Sequence, residues 1–490
     1  MMLSDPALAE QLEAWLLSGH QRLERLVAPA FAEGRKKLPR QPSRVERVDV
    51  RMLPVIGLPR EVCTVQAWLD GSNDGLPGLA PETRLSLFFR YLACPLRYEP
   101  GSESTIHKAV PSSRGRHPLR FFLVDTFDGE PRVHRYVPEL HALQLVQAGA
   151  CPPPGIERMA IVCVGRAWRY AEEYGEFAHV PCVLEAGHAY AQAQHLACLL
   201  GMEDDAPMNR EVGRTFCKSP YEVPLYALSM RCHPGMTALP VESMKVEECY
   251  PFPGMTERFP RLDLFQRSFD GGCSPVRSGP VEAACMSHVR ADVGRRDAFD
   301  IMRRRTSGND RGLATSVFAD APAGSFASIV SMWRAVRSHR PLNAAERDLG
   351  VSLVWLGREP DMPIGIHDID GPDTVERAWR GDIQDALSKM LPYANMKYNL
   401  SALNCILIIH ADMRGALDSL GHAAFREIHL AAGAAAQDFS MAATAHGLFA
   451  RPVKMMREAR LESEVSLRGQ AVYLLLCGLS RSSNPTMALF

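Results

Sequence analysis

Residues 184–202 read LEAGHAYAQAQHLACLLGM, and residues 430–448 read LAAGAAAQDFSMAATAHGL. Both runs are rich in alanine and leucine and free of turn residues, the composition of a buried helix. Each has glycines 14 residues apart, Gly187 with Gly201 and Gly433 with Gly447, and the two runs are offset by 246 residues. A glutamine follows the first glycine in each, at Gln192 and Gln437. Gly201 and Gly447 sit where a helix C-terminal cap is expected.

Working outward, apolar strand candidates precede both helices, at 159–164 and 404–409, and follow them, at 224–228 and 471–476. Further upstream, Asn73-Asp74-Gly75-Leu76 echoes Asn309-Asp310-Arg311-Gly312-Leu313 at an offset of 236. Four segments in one order indicate an internal duplication. The expected organisation is an N-terminal helical extension (1–49), a first domain (50–235), a connector (236–295) and a second domain (296–485). The connector holds Pro251-Phe252-Pro253-Gly254 and Asp270-Gly271-Gly272-Cys273 and reads as irregular surface chain, with one short helix near 281–288.

The chain has 490 residues, 46% hydrophobic and 23% charged, with 55 Lys+Arg against 56 Asp+Glu. That balance gives no bulk field for nucleic acid or a membrane surface. The 13 cysteines show no C-x-x-C pair, which reads as reduced, buried thiols in a cytoplasmic chain. The N-terminus has no basic flank before an apolar stretch, so no secretory signal is expected. The apolar run 182–202 contains Glu185, His188 and His195 and reads as a soluble core helix. No metal site is expected, and no P-loop, H-E-x-x-H or G-x-S-x-G pattern occurs.

Three stretches of the first domain carry a resemblance. They are Ala109-Val110-Pro111-Ser112-Ser113-Arg114-Gly115-Arg116-His117-Pro118-Leu119 before the strand 121–124; His134-Arg135-Tyr136-Val137-Pro138; and Tyr174-Gly175 followed by Leu184-Glu185-Ala186-Gly187-His188. This domain resembles the streptolysin-type (SagB-like) dehydrogenases of the nitroreductase superfamily. The second domain resembles the wider superfamily through Met302-Arg303-Arg304-Arg305-Thr306-Ser307, Ala424-Phe425-Arg426 and the 433–448 helix. The resemblance implies an α+β fold: two fused FMN-dependent nitroreductase-like domains, each a mostly antiparallel sheet flanked by helices, forming an intramolecular pseudo-dimer. Further dimerisation is left open.

FMN presents a phosphate, a polar chain and a flat ring, so its site needs cationic forks, ring-edge donors and apolar walls. Arg303, Arg304, Arg305 and Ser307 supply the first, since arginine grips phosphate and carbonyl oxygens bidentately. Such a run is also the composition of a solvated helix end. The resemblance sets Pro111, Ser112 and Ser113 opposite these arginines, with Gly447 and Leu448 bringing backbone amides toward the ring. Arg451, Lys454 and Arg481 are further phosphate candidates.

The two halves differ in these elements. Where the second domain has its arginines, the first has Trp68-Leu69-Asp70-Gly71-Ser72; where the first has Pro-Ser-Ser, the second has Ser338-His339-Arg340-Pro341-Leu342. One complete interface site and one FMN per chain are therefore expected. The family's azoline oxidases carry Lys-Tyr shortly before the Leu-Glu-Ala-Gly-His helix. Here Glu173-Tyr174 stands there, so these two are the candidate catalytic residues and azoline oxidation itself is put in doubt. Lys397-Tyr398 lies ahead of a strand and is set aside as a chance dipeptide. His188 is expected to be a satisfied core histidine.

The expected activity is hydride transfer between flavin N5 and a small-molecule or peptide-like natural-product substrate, with a biosynthetic carrier or cyclase as an open partner. The alternatives are an NAD(P)H-dependent nitro, quinone or ene reductase and a non-catalytic flavin-binding partner of a biosynthetic complex.

Overall fold

The computed structural model describes residues 10, 43–55, 63–70, 79–100, 105–125, 132–148, 159–202, 210–217, 219, 221–231, 239–252, 254–259, 262, 277–278, 288–308, 320–340, 342–357, 359–360, 362–371, 373–377, 382–391, 400–480 and 487–489. The Asn73 and Asn309 segments, Lys397-Tyr398 and Arg481 lie outside the described residues.

The first half runs β1 (Ser43–Met52), α1 (Val65–Leu69), α2 (Pro81–Ala93), β2 (Arg97–Tyr98), β3 (Ile106–His107), β4 (Leu119–Asp125), β5 (Arg132–Val137), β6 (Ala142–Ala148), β7 (Met159–Gly165), α3 (Trp168–Tyr174), α4 (His179–Leu199), β8 (Val223–Met230) and β9 (Val241–Cys249). Its large sheet is antiparallel, in the order β8-β7-β4-β5-β6-β1-β9. The second half runs β10 (Arg277–Ser278), α5 (Ala298–Arg304), α6 (Ser325–Ser338), β11 (Leu342–Asn343), β12 (Leu349–Trp355), β13 (Gly365–Asp368), β14 (Val375–Arg377), β15 (Cys405–Ala411), α7 (Met413–Leu420), α8 (Ala424–Ala445), β16 (Phe449–Val453), β17 (Gln470–Gly478) and β18 (Met487–Ala488). Its sheet order is β14-β13-β12-β15-β17-β16, again antiparallel. Thus β8-β7-β4-β5 and β17-β15-β12-β13 are the same four-strand arrangement. Even the register slips coincide, between Cys163 and Val164 in one sheet and between Ile409 and His410 in the other.

The helices read from the quoted runs are α4 and α8, and they pack against each other at the centre of the molecule. Every residue of α8 is buried; a helix covered on all sides needs no polar face, which is why its sequence shows none. Fully burying side chains such as Phe425, Leu430 and Phe439 stabilises by about 1.5–3 kcal/mol each. Gly201 (φ +62°) and Gly447 (φ +79°) end the two helices in the left-handed region, as expected.

Contacts between the halves are reciprocal. A Cβ on Gly187 would collide with the Leu430 carbonyl and lie 2.8 Å from Gly433 Cα; one on Gly433 would collide with the Leu184 carbonyl and lie 2.9 Å from Gly187 Cα. Only glycine at both positions lets the backbones approach this closely. The starts of α1 and α5 are tied likewise: Val65 N donates to Arg296 O (2.8 Å) and Ala298 N to Cys63 O (2.9 Å). Both helices have side-chain caps, Thr64 and Asp297.

Two boundaries differ from the sequence expectation. Residues 43–49 belong to β1 rather than to a helical extension, and β1 pairs from Ser43 to Arg51 with β9, inside the expected connector. The connector also contributes β10, which pairs with β11 of the second half. At the other end of the chain, β18 pairs with β2, so the second half's trailing strand is docked on the first half. The expected short helix near 281–288 lies almost wholly outside the described residues.

Candidate functional site

The loop 111–117 is held in an unusual backbone shape. Arg114 (φ +50°) and His117 (φ +45°) are non-glycine residues in the left-handed region, at a cost of about 1–3 kcal/mol each. Three side chains of α3 offset that cost, because Tyr170, Glu173 and Tyr174 share one helix face. Tyr170 Oη accepts from Ser113 N and lies 3.0 Å from Ser112 Oγ. Tyr174 Oη donates to Ser113 Oγ (3.1 Å). The Glu173 carboxylate lies between Arg114 (3.3 Å) and Arg116 (2.8 Å). Of the two candidate catalytic residues, Tyr174 thus reaches the Pro111–Ser113 turn, while Glu173 clamps the loop through two guanidinium groups and is not poised as a base.

A second carboxyl was missed by sequence reasoning. Glu185, on the second turn of α4, is 5% exposed and accepts from Tyr170 Oη at 2.5 Å. Burial raises its carboxyl to about 7, against the lowering effect of hydrogen bonding by Tyr170 and Ser112 and of Lys108 and Arg169. The available signal was its place in Leu184-Glu185-Ala186-Gly187-His188, one of the stretches that carry the resemblance. His117 Nδ1 lies 4.0 Å from Glu185 Oε1; burial and Lys108 hold this imidazole well below its usual range.

The second half reaches this loop through one arginine. Arg303 and Arg304 both turn back along α5 to Asp300, and the Arg304 side chain is 68% exposed. Arg305, just past the helix end, is 3% exposed and points toward the first half. Its Nη2 donates to Lys108 O (3.2 Å) and its Nη1 to Ser307 Oγ (3.3 Å), while Nε is buried with no partner. Burial lowers this guanidinium to about 9. Arg97 of β2 donates to the carbonyls of Arg303 and Arg305 and is itself paired with Glu99 (3.1 Å). Hence the arginine cluster expected from sequence resolves into one site residue and two that serve α5.

From behind, Arg451 Nε donates to Ser307 O (2.6 Å) and Ala450 N to Thr306 O (3.0 Å), fixing the 306–308 backbone. Arg451 therefore supports the loop through main-chain carbonyls. Lys454 pairs with Glu458 (3.4 Å). Gly447 has open space where a Cβ would stand, and the Leu448 amide is used by Ala443 O (2.9 Å). Tyr473 of β17 completes this side; Glu185, Tyr174 and Arg305 all act on its phenol electrostatically.

His188 is the satisfied core residue expected. Gln437 Nε2 donates to Gln192 Oε1 (2.9 Å), so its oxygen faces His188 Nδ1 (2.9 Å). That assigns the proton to Nδ1 and leaves Nε2 to accept from Tyr473 Oη (3.3 Å). Burial depresses the imidazole to about 3, keeping it neutral.

At the counterpart position the space is closed by protein. Arg340, in the segment matched to Pro-Ser-Ser, is buried between Glu346 (2.5 Å) and Asp438 (2.6 Å), and Asp438 also bonds His195 Nε2 (2.7 Å). Trp68 stands edge-on to the His195 ring at 5.2 Å. Burial opposes the charge on Arg340, but Asp438 and Glu346 outweigh it and keep the guanidinium protonated. Every charge here is matched, unlike that of Arg305 across the molecule.

Among the described residues no three His, Cys, Asp or Glu side chains gather to hold a metal, and no helix is long and apolar enough to cross a membrane. No family model matches the sequence, and no curated protein matches it. A crystal structure from Anabaena variabilis described as a "putative nitroreductase" superposes with a TM-score of 0.67 at 15% identity, covering 95% of this chain and 99% of that one. The chain has the nitroreductase fold. The likeness extends over both sheets of that fold rather than one half. A similarly described protein from Ralstonia eutropha covers 37% of this chain and 88% of its own at a TM-score of 0.29 and 16% identity, too low to add to the assignment.

Proposed function

We propose that this chain is an FMN-dependent oxidoreductase of the nitroreductase superfamily, an intramolecular pseudo-dimer with one flavin site per chain. The observation that carries the reading is Arg305: a buried guanidinium at the junction of the halves, bonded to neutral oxygens only, with one N–H unspent. A buried cation without a carboxylate partner suits an anionic or carbonyl-rich ligand. The donor set around it fits FMN. Arg305 and Ser307 would hold the phosphate or ring carbonyls, the Pro111–Ser113 turn the ring edge, and Gly447 the open approach beside them. When bound, FMN supplies a hydride acceptor and donor at N5.

The resemblance of the first domain carries the substrate class, a peptide or peptide-like natural-product intermediate, and the hydroxyls and carboxyl of the site support a dehydrogenase. Removing hydride from such a substrate also releases a proton, and the hydroxyls of Ser112, Ser113, Tyr170 and Tyr174 lie together with the Glu185 carboxyl to receive it. The reading places the protein in the cytoplasm, in keeping with the nine described cysteines, all free thiols.

The first test is the absorbance spectrum of the purified chain and the mass of the released cofactor. The expected result is FMN at about one per chain. A colourless protein that takes up no flavin sinks the proposal, and two flavins per chain sink its one-site form. Anaerobic bleaching by NADPH with turnover of a quinone or nitroaromatic would replace the dehydrogenase with a reductase. A yellow protein that no donor reduces would indicate a flavin-binding partner without activity.

A further inference from the structure

A file of three oxygen groups runs inward from the Pro111–Ser113 turn. Ser112 Oγ lies 3.0 Å from Tyr170 Oη, which lies 2.5 Å from Glu185 Oε2. Backbone amides set its direction. His117 N donates to Ser112 Oγ (2.9 Å) and Ser113 N donates to Tyr170 Oη (3.0 Å). With lone pairs engaged from the loop side, each hydroxyl proton points on toward Glu185. Ser112 is half-buried and Glu185 is buried, so the file connects the site surface to the interior.

We propose that Ser112, Tyr170 and Glu185 form a proton relay that takes up the proton released by the substrate and stores it on the buried carboxylate. The inference rests on the oxidoreductase reading above. As the proton reaches Ser112 Oγ, the serine's own proton passes to Tyr170 Oη and the tyrosine's to Glu185 Oε2. One substrate bond to hydrogen and two O–H bonds break while three O–H bonds form, and Glu185 becomes neutral. A flavin, when bound, would supply the two-electron oxidant that takes the hydride, and the electron pair left on the substrate would become its new double bond.

The surroundings suit a store that works in both directions. Lys108 and Arg169 face the carboxyl as cations, with His117 at 4.0 Å. Tyr473 approaches from β17, Cys163 from β7, and Cys182 lies one turn earlier on α4. Burial raises Glu185 to about 7, where gain and loss of a proton are both accessible near neutrality. The positions 246 residues on are Ala416 and Ala431. The second half therefore has neither the phenol nor the carboxyl, and the relay belongs to one site only.

The relay is tested by infrared spectroscopy on the full chain before any flavin is added, so that flavin binding and proton conduction are judged separately. At about pH 5 a protonated buried carboxyl gives a C=O band, and Glu185→Gln lacks it. In deuterated buffer that band shifts rapidly in the parent protein. In Tyr170→Phe, which keeps the ring, and in Ser112→Ala the shift slows by on the order of 100-fold. A purely structural Tyr170–Glu185 bond would not require that slowing. Exchange in Tyr170→Phe as fast as in the parent, or a Glu185 that stays ionised at about pH 5, overturns the relay. Failure of every preparation, parent included, to take up FMN counts against the functional reading and not against the exchange result.

Discussion

Two acids twelve residues apart illustrate what a single residue reveals in sequence. Glu173 occupies the place where the resemblance puts a catalytic group, yet Arg114 and Arg116 claim it. Glu185 is read only as a member of the Leu-Glu-Ala-Gly-His stretch, with no role of its own, and is the carboxyl bonded into the site. The difference is decided by a loop whose backbone signs at Arg114 and His117 cannot be read from residue type. Because burial raises Glu185 from 4.5 to about 7, folding favours its protonated form. Its contribution is complete below about pH 4.5 and falls as pH rises, vanishing above about 7, a swing of about 3 kcal/mol. Thermal melts of Glu185→Gln are expected to lose that part of the pH dependence across this window; identical profiles for both proteins would refute it. Arg305 was legible only as one of three arginines, since a helix end decides which of them turns inward. Arg305→Ala is expected to weaken FMN binding about 10- to 100-fold, measured by flavin fluorescence titration, whereas Arg304→Ala, paired with Asp300 in solvent, leaves it near the parent value. At the closed counterpart, Arg340→Met removes the guanidinium that pairs with both buried carboxylates, Glu346 and Asp438. A loss of about 3–5 kcal/mol is expected in denaturant unfolding, with flavin content unchanged.

Among elements, the central helices and the core strands were the most legible parts. Their buried runs are long, and the glycines at a 246-residue offset mark the same turns twice. A further pair at that offset, Gly175 (φ +54°) and Gly421 (φ +57°), ends α3 and α7 alike. The strand β1 was not legible. Most of its residues are exposed or half-exposed, so no alternation of buried positions betrays it, and its partner β9 lies almost 200 residues away in sequence. Gly433→Ala tests the helix crossing. Its methyl would meet the Leu184 carbonyl, which cannot rotate aside as a side chain can. The expected loss in chemical denaturation is at least about 3 kcal/mol, the upper end for overpacking. A stability equal to that of the parent would mean the helices lie farther apart than described.

For the whole molecule, the halves depend on each other through α4 against α8 and through β18 of the second half, which pairs with β2 of the first. Separated, each would expose the buried flank of its central helix and an unpaired strand edge, both routes to aggregation. Expressed alone, chains cut near residue 255 are expected to be insoluble; expressed together, they are expected to co-purify in equal amounts and regain flavin. Soluble, monomeric, stable fragments would contradict this. Joining two like halves in one chain has a consequence for how such a protein can change. In an assembly of identical subunits every substitution appears at both symmetric positions, so damage to one cleft is damage to both. With each half encoded separately, Arg340, Glu346 and Asp438 could invade one cleft and turn it into a structural lock, while the cleft beside Arg305 kept its own polar groups.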